Sequence, residues 1–553
     1  MLRNYSRAGS TSPAFSAKRS MRLLRPFGQK LHVGLFVAAA FCLAGQFFTA
    51  TGIHSAEPST YYVSFKEGED SNPGNDPEKP WKSLRKVNAT LFEAGDLILF
   101  RAGEEWAGQL WPKGSGREGS LIRIGRYGEG AKPAIRGNCL AEDAILLKNQ
   151  EYWEVSDLNV SNHGCRPGIR RGVHIALENF GEAHSIILRR ITVHDVEGLD
   201  STKQNGGVIY TSVGNRKPSR FIDLRIEDNE IFHAGRNGIS GWSDTWQRSR
   251  WYPSLGVVVR GNKLEDIGGD GIMIVATDGA LIENNVVGKA NQRSVGYNVA
   301  IWSWSADNTV IQYNEAWGTK GERDGEGFDS DWNSRNTIIQ YNYSHDNEGG
   351  FVLICNEGGH DAKENIGNLN TILRYNISQN DKNRGITLSG PVKNTQIYNN
   401  TIFVRDGLRS DIVLFTNWQG WPQKTEFFNN IYYVQGEARI GHAISRLRDG
   451  HHVSAAGFGK SRDTLFGANV YFGQLNRVAD AKSLTEDPDF ISAGQGTYGR
   501  ETLSGYTLQN DSKARGTGLP ISQDGGKDFF GRTLAGCSSP DRGAVQSSSC
   551  DAR

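Results

Sequence analysis

Asp329 and Asp331 stand two residues apart in Gly327-Phe-Asp-Ser-Asp-Trp-Asn333. On a β-strand that spacing puts both carboxylates on one side, with Cα atoms about 6.7 Å apart. Closely set carboxyls drive their pKa values apart, so one can protonate a leaving oxygen while another activates water or attacks carbon. The turn before them adds Asp324 and Glu326, and the segment after adds His345, Asp346, Glu348 and Glu357. Asp329 and Asp331 are therefore the leading catalytic candidates, supported by Glu326, His345 and Glu348. The competing reading of Asp329, Asp331 and Asn333 is a structural calcium loop, although an EF-hand is excluded because Ser334 and Gln340 replace its glycine and bidentate glutamate. No CxxC or HExxH pattern occurs, so a structural zinc site is not expected, and the structural calcium of that competing reading is the one cofactor left open.

These residues sit inside a repeat. Asn229, Asn262, Asn285, Asn314, Asn342, Asn376, Asn400 and Asn430 each follow two or three residues ending a β-forming run and precede another, at steps of 33, 23, 29, 28, 34, 24 and 30. A unit of 23 residues with variable insertions fits one coil of a parallel β-helix, with asparagine at a bend forming a side-chain ladder along the stack. Asp157 and Arg190 hold the same position in two less regular coils. A leucine-rich solenoid is excluded by the absence of its Leu-x-x-Leu-x-Leu frame. About ten coils at ~4.8 Å give a rod of roughly 50 Å.

Alignment of the strands after each glycine turn assigns faces by alternation. Ile239, Ile272, Ile274, Val299, Ile301, Phe328, Phe351 and Leu353 read as core. Trp242, Trp302, Trp304, Asp329, Asp331, Asn333 and Asn356 then point outward, and tryptophan rings offer flat apolar surfaces for sugar C–H faces. Trp242-Ser-Asp-Thr-Trp246-Gln-Arg-Ser-Arg-Trp251-Tyr-Pro breaks the repeat and is too polar for core, which reads as a substrate-binding loop.

A solenoid must cover its ends. Tyr61-Tyr-Val-Ser reads as a strand, Pro80 to Phe92 as a short amphipathic helix and Asp96 to Arg101 as a strand, together an N-terminal cap. The expected organisation is a signal peptide over 1–56, cap and first coils over 57–140, β-helix repeats over 141–435, and a lateral insertion, last coils and C-terminal wrap over 436–553.

The net charge is +1, but residues 1–56 hold seven basic residues and no acid, so the remainder carries −6. That balance argues against nucleic acid as the main ligand. Val33 to Ala44 is an apolar run of 12, long enough for a secretory signal and short for a membrane span of about 20. Cleavage is expected at Ala56 or nearer Ala50, and Met21 would begin a signal of more usual length. A secreted or periplasmic protein free of stable membrane association, and monomeric, is the expectation. In an oxidising compartment Cys139–Cys165 and Cys537–Cys550 are expected bridges, leaving Cys355 as a buried thiol.

Tyr61-Tyr-Val-Ser, Asn72-Pro-Gly74, Pro80-Trp-Lys-Ser-Leu84, Gly95-Asp-Leu-Ile-Leu-Phe-Arg-Ala-Gly103, Ser115-Gly116 and Ile124-Gly-Arg-Tyr-Gly128 carry a resemblance. The chain resembles the secreted right-handed β-helix proteins of the pectin-lyase-like superfamily over about residues 60–545, which implies that fold and secretion. The run Asp324-Gly-Glu-Gly-Phe-Asp-Ser-Asp331 with Gln340-Tyr-Asn-Tyr-Ser-His-Asp-Asn-Glu-Gly-Gly350 is similar to bacterial β-helix glycosidases. The resemblance implies hydrolysis of glycosidic bonds in a polysaccharide. A lyase acting on uronate polymers, with Lys289, Arg293, Lys320, Arg323 or His345 near the site, is the second reading, and a non-catalytic glycan-binding surface protein the third.

Overall fold

The computed structural model describes residues 57–553 except 167, 322, 362, 446–451, 455–458, 535–537 and 548–553. The proposed signal peptide and the Cys537–Cys550 bridge lie outside the described residues. Residues Glu57–Arg553 form one compact unit, and no helix among the described residues is long and apolar enough to cross a membrane.

The chain winds as a right-handed parallel β-helix whose coils each contribute strands to three parallel sheets. Typical of a coil are Ile301–Asp307, Val310–Gln312 and Glu315–Trp317, stacked in register on Ile272–Asp278, Leu281–Glu283 and Val286–Gly288. Stacking begins at Thr60–Val63, which pairs with Leu97–Arg101 and through it with Ile122–Tyr127. The predicted cap helix is one short turn pair, Leu84–Ala89, because Ser83 caps its start by accepting from Lys86 N and only Leu84 and Val87 are buried. Tyr61 stacks on Trp81 at 4.6 Å, and Phe92 closes the end of the core.

Inside the coils, side chains of one type stack. Ile239, Ile272, Ile301, Phe328, Val352, Ile386 and Val413 form one buried column in register. The asparagine ladder is present: each amide from Asn229 to Asn430 donates to the Oδ1 of the next at 2.9–3.0 Å, ending on Asn469. All are fully buried, which satisfies polar groups that would otherwise be costly there. The left-handed backbone falls one residue earlier than the ladder, on Asp228, Gly261, Asn284, Tyr313, Tyr341, Tyr375, Asn399 and Asn429. Asp157 and Arg190 share that left-handed conformation, so they align with Asp228 and not with Asn229; Ile191 N takes the Asn229 Oδ1 instead.

The expectation for the region after the asparagine ladder changes in part. Residues 436–475 are not a wholly lateral insertion, since Ile431–Ser445 stacks on Thr401–Val404 and Arg409–Asn417, and Arg462–Gly467 and Val470–Leu475 form a further coil. The C-terminal wrap covers the third sheet: Phe490, Leu503, Tyr506 and Leu508 pack with Tyr343, Ile377, Phe403, Ile431 and Val470. The outer face of the first sheet is left to the loops.

Candidate active site

The strand Glu326–Ser330 lies in the first sheet between Ile301–Asp307 and Gly350–Cys355. Phe328 enters the core, so alternation sends Asp329 outward, beside Trp302 on one neighbour and Leu353 on the other. Asp329 is only 2% exposed, yet its Oδ1 has no hydrogen-bond partner. Asp331 follows the strand and is half-buried. Its Oδ1 accepts from Trp332 N at 2.6 Å and from the Cys355 thiol at 2.7 Å. Carboxylate oxygens of Asp329 and Asp331 and the Cys355 Sγ all lie within 4.8 Å of one another. The two side chains thus converge well inside their Cα spacing.

Burial dominates the electrostatics. It pushes the Asp329 carboxyl well above the usual range, and the charges of Asp331, Asp324 and Glu326 push the same way while Lys203 opposes them. Asp324 is raised well above the usual range by burial and then by Glu326, with Arg384 and Lys203 opposing. Burial also raises Asp331, to about 6, but the hydrogen bonds from Cys355 and Trp332 N and the charge of Lys203 restrain the rise. The cluster is therefore asymmetric: burial and neighbouring charge favour the protonated forms of Asp324 and Asp329, while two donors restrain the rise at Asp331. Glu326, fully buried, pairs with Arg384 at 3.0 Å. Arg384 also donates to the carbonyls of Arg323, Asp324 and Gly349, fixing the loop that carries Asp324. Glu326 thus belongs to the support beneath the site.

Asp324, in the turn before the strand, interacts electrostatically with Glu326 and Asp331. Lys203 was missed altogether. It comes from a loop 126 residues before Asp329, where its ammonium pairs with buried Asp270 at 2.9 Å and lies 4.6 Å above the Trp302 ring. No spacing pattern could have linked it to the strand.

Several predicted residues are elsewhere or already engaged. His345 is on the third sheet under the wrap, 4% exposed, with its ring nitrogens 2.9 Å from Asp346 and 3.0 Å from Glu315. Glu348 accepts from Gly321 N in a neighbouring turn. Asn333 is filled on both ends of its amide: it donates to Trp246 O and Ser305 Oγ and accepts from Arg248 Nε and Ile366 N. It can neither hold substrate nor complete an Asp-x-Asp-x-Asn calcium loop. Asn356 accepts from Asn365 and is buried. Trp302 is buried too, its indole N–H given to Asp270 at 2.9 Å. Two assignments to the core are corrected: Leu353 pairs in register with Asp329, because Gly350 opposes Glu326 and not Gly327, and a one-residue slip reverses the face. Val299 packs outside the core with Met273, Val275 and Trp302.

Half-buried tryptophans form a shelf beside the carboxylates. Trp304 lies 6.0 Å from Trp242, 5.5 Å from Trp246 and 5.3 Å from Trp332, and His360 stacks on Trp332 at 4.9 Å. The insertion that supplies Trp246 is anchored by Arg248, which grips fully buried Asp307 through two hydrogen bonds of 2.7 and 2.9 Å. Lys289 and Arg293 are taken up by Glu265 and Asp266, and Lys320 and Arg323 are exposed. Cys139 and Cys165 are joined as a disulfide, and Cys355 is a free buried thiol.

Comparison with known proteins agrees with this architecture. Residues 173–402 match the family model of the right-handed β-helix region. A lacto-N-biosidase from Bifidobacterium longum subsp. longum is 26% identical across 630 aligned positions, covering 92% of this chain and 38% of the relative. The chain thus spans well under half the length of that curated relative. The crystal structure of the GH136 lacto-N-biosidase from Eubacterium ramulus superposes with a TM-score of 0.54 at 26% identity, over 63% of this chain and 64% of that one. XylC in complex with xylose shares the fold at 13% identity, with a TM-score of 0.52 over 88% of this chain and 98% of its own.

Proposed function

We propose that this protein is a glycoside hydrolase that cleaves a glycosidic bond in an oligosaccharide or polysaccharide, with Asp331 as the ionised carboxylate and the acid drawn from Asp324 and Asp329. The carrying observation is the asymmetric carboxyl cluster on the open first sheet, beside the tryptophan shelf. Asp331 is half-buried and has one oxygen held by two donors, which steadies the charged form that a nucleophile or base requires. Asp324 and Asp329 keep protons that an acid must donate to the leaving oxygen. The approach of Asp329 and Asp331 within 4.8 Å suits a covalent glycosyl intermediate, since an inverting pair stands roughly 6.5–9.5 Å apart to admit water. The relatives named lacto-N-biosidase make a lacto-N-biose-terminated glycan the first substrate to try.

Elimination is disfavoured because the basic side chains considered for it are salt-bridged, exposed or under the wrap. Residence outside the cytoplasm is the reading that suits the Cys139–Cys165 disulfide and the apolar segment near the N-terminus.

The test is a digest of a glycan panel, including lacto-N-biose-terminated oligosaccharides, followed by new reducing ends and by the ultraviolet absorbance of unsaturated uronate. Reducing ends without absorbance are expected, and Asp331→Asn and one of Asp324→Asn or Asp329→Asn should each lose about 10²–10⁴-fold in kcat. Absorbance would establish a lyase, binding without cleavage a glycan-binding protein, and full activity in Asp331→Asn would remove the site assignment.

A further inference from the structure

Cys355 enters the site from the coil after the two aspartates, on a strand that ends where Asp331 begins to turn. Its sulfur, an oxygen of Asp329 and an oxygen of Asp331 form a triangle with no side longer than 4.8 Å. A tetrahedral zinc ion holds sulfur at about 2.3 Å and carboxylate oxygen at about 2.0–2.2 Å, so its ligand atoms stand roughly 3.5 Å apart, between the 2.7 Å of the Cys355 Sγ–Asp331 Oδ1 contact and the 4.8 Å limit of the triangle. Independently of the cluster, Asp329 presents a buried oxygen that no donor in the protein satisfies. Such an atom calls for a ligand. Lys203 does not supply it by direct contact, since its ammonium is engaged by Asp270 and by the carbonyl of Tyr297 at 2.8 Å.

We propose that Asp329, Asp331 and Cys355 form a binding site for a thiophilic divalent cation of the zinc class, and that occupancy blocks the hydrolase. The thiolate selects against calcium and magnesium, which take oxygen ligands. On binding, the Cys355 thiol and the Asp329 carboxyl each release a proton to solvent, and the sulfur and the carboxylate oxygens of Asp329 and Asp331 donate electron pairs to the metal, with no change of oxidation state. The thiol–carboxylate hydrogen bond would be exchanged for two metal bonds. Both aspartates are then unavailable for acid or nucleophilic work. The blocking effect rests on the hydrolase reading; the binding does not.

Cobalt(II) replaces zinc as a spectroscopic probe in the purified full chain. A sulfur-to-cobalt charge-transfer band saturating at one equivalent is expected, bleached by added zinc, absent in Cys355→Ser and shifted to at least tenfold weaker affinity in Asp329→Asn. Zinc at the same occupancy should reduce glycan hydrolysis at least tenfold, with recovery on chelation. A cobalt spectrum without that band, or one unchanged in Cys355→Ser, overturns the site. A Cys355-dependent band with hydrolysis undiminished by zinc overturns the blocking, whereas a Cys355-dependent band in a chain that cleaves no glycan keeps the site and removes the hydrolase reading. A native melting curve for Asp329→Asn guards against loss of the band through misfolding.

Discussion

Asp331 differs from its neighbours by two donors. Trp332 N and the Cys355 thiol both bind Oδ1 and restrain the rise that burial causes, to about 6, whereas Asp329, whose Oδ1 has no donor, is raised well above the usual range by burial and neighbouring carboxylates. Activity should therefore appear as pH rises through about 6, when Asp331 ionises, and fade at higher pH as the acid loses its proton. Cys355→Ala removes a donor that lowers the Asp331 pKa, so the acidic limb of kcat/KM should move up by about one pH unit, a hydrogen bond to a charged group being worth roughly 1.5–3 kcal/mol. Cys355→Ser, which keeps a donor, should restore most of that shift. An unmoved limb in Cys355→Ala would mean that the thiol does not tune Asp331.

Asp329 also has a stability signature. Its folded-state pKa lies above the unfolded value, so the native chain keeps a proton that the unfolded chain releases, and stability present below about pH 4 is lost as pH rises. Asp329→Asn removes that penalty. Its melting temperature should exceed wild type at pH 7 and match it near pH 4, while activity falls; a lower melting temperature at pH 7 would contradict the assigned direction.

At the scale of elements, strand and insertion do separate work. The strand Glu326–Ser330 is locked by backbone pairing on both sides and by Phe328 in the core, so Asp329 does not depend on the insertion, and Asp331 is tied back to the sheet by Asp331 N donating to Ser303 O. The insertion depends on Arg248, whose guanidinium reaches Asp307 and Asn333 and stacks 3.9 Å from the Trp251 ring. Arg248→Met should cost roughly 3 kcal/mol, the scale of breaking a buried ion pair. It should raise KM several-fold with kcat nearly kept, because the tryptophan shelf loses its support while the acid and the nucleophile stay in place. Equal losses in kcat and KM would instead couple the insertion to the chemistry.

Across the whole molecule, the C-terminal wrap is pinned to the third sheet through Glu315, which accepts from Gly499 N and faces His345. Although burial lowers it, hydrogen bonds and charge from Asp346 and Glu315 raise the His345 pKa to about 9. A raised histidine contributes stability that is complete below its unfolded value of about 6.5 and lost as pH climbs through 9, on the order of 3 kcal/mol. Hydrogen exchange in residues 496–506 should accelerate between pH 7 and 10 beyond the intrinsic rate, and His345→Gln should be fast already at pH 7. Protection in the variant equal to wild type would leave the wrap held by its apolar contacts alone.

The sequence by itself determined the coil, the asparagine ladder and the outward pair Asp329 and Asp331, because stacking repeats one local pattern and strand alternation depends only on parity. It also marked the tryptophan insertion by its break in the repeat. What it could not carry was register between coils. Insertions of unequal length hide which residue opposes which, so alternation along one strand turns Leu353 inward where the register turns it outward. Only the tertiary structure decided that Cys355, 24 residues beyond Asp331, donates to it, that Lys203 reaches the cluster from a distant loop, and that the wrap removes His345 from solvent. Those contacts join residues far apart along the chain, and their chemistry exists only once the coils have stacked.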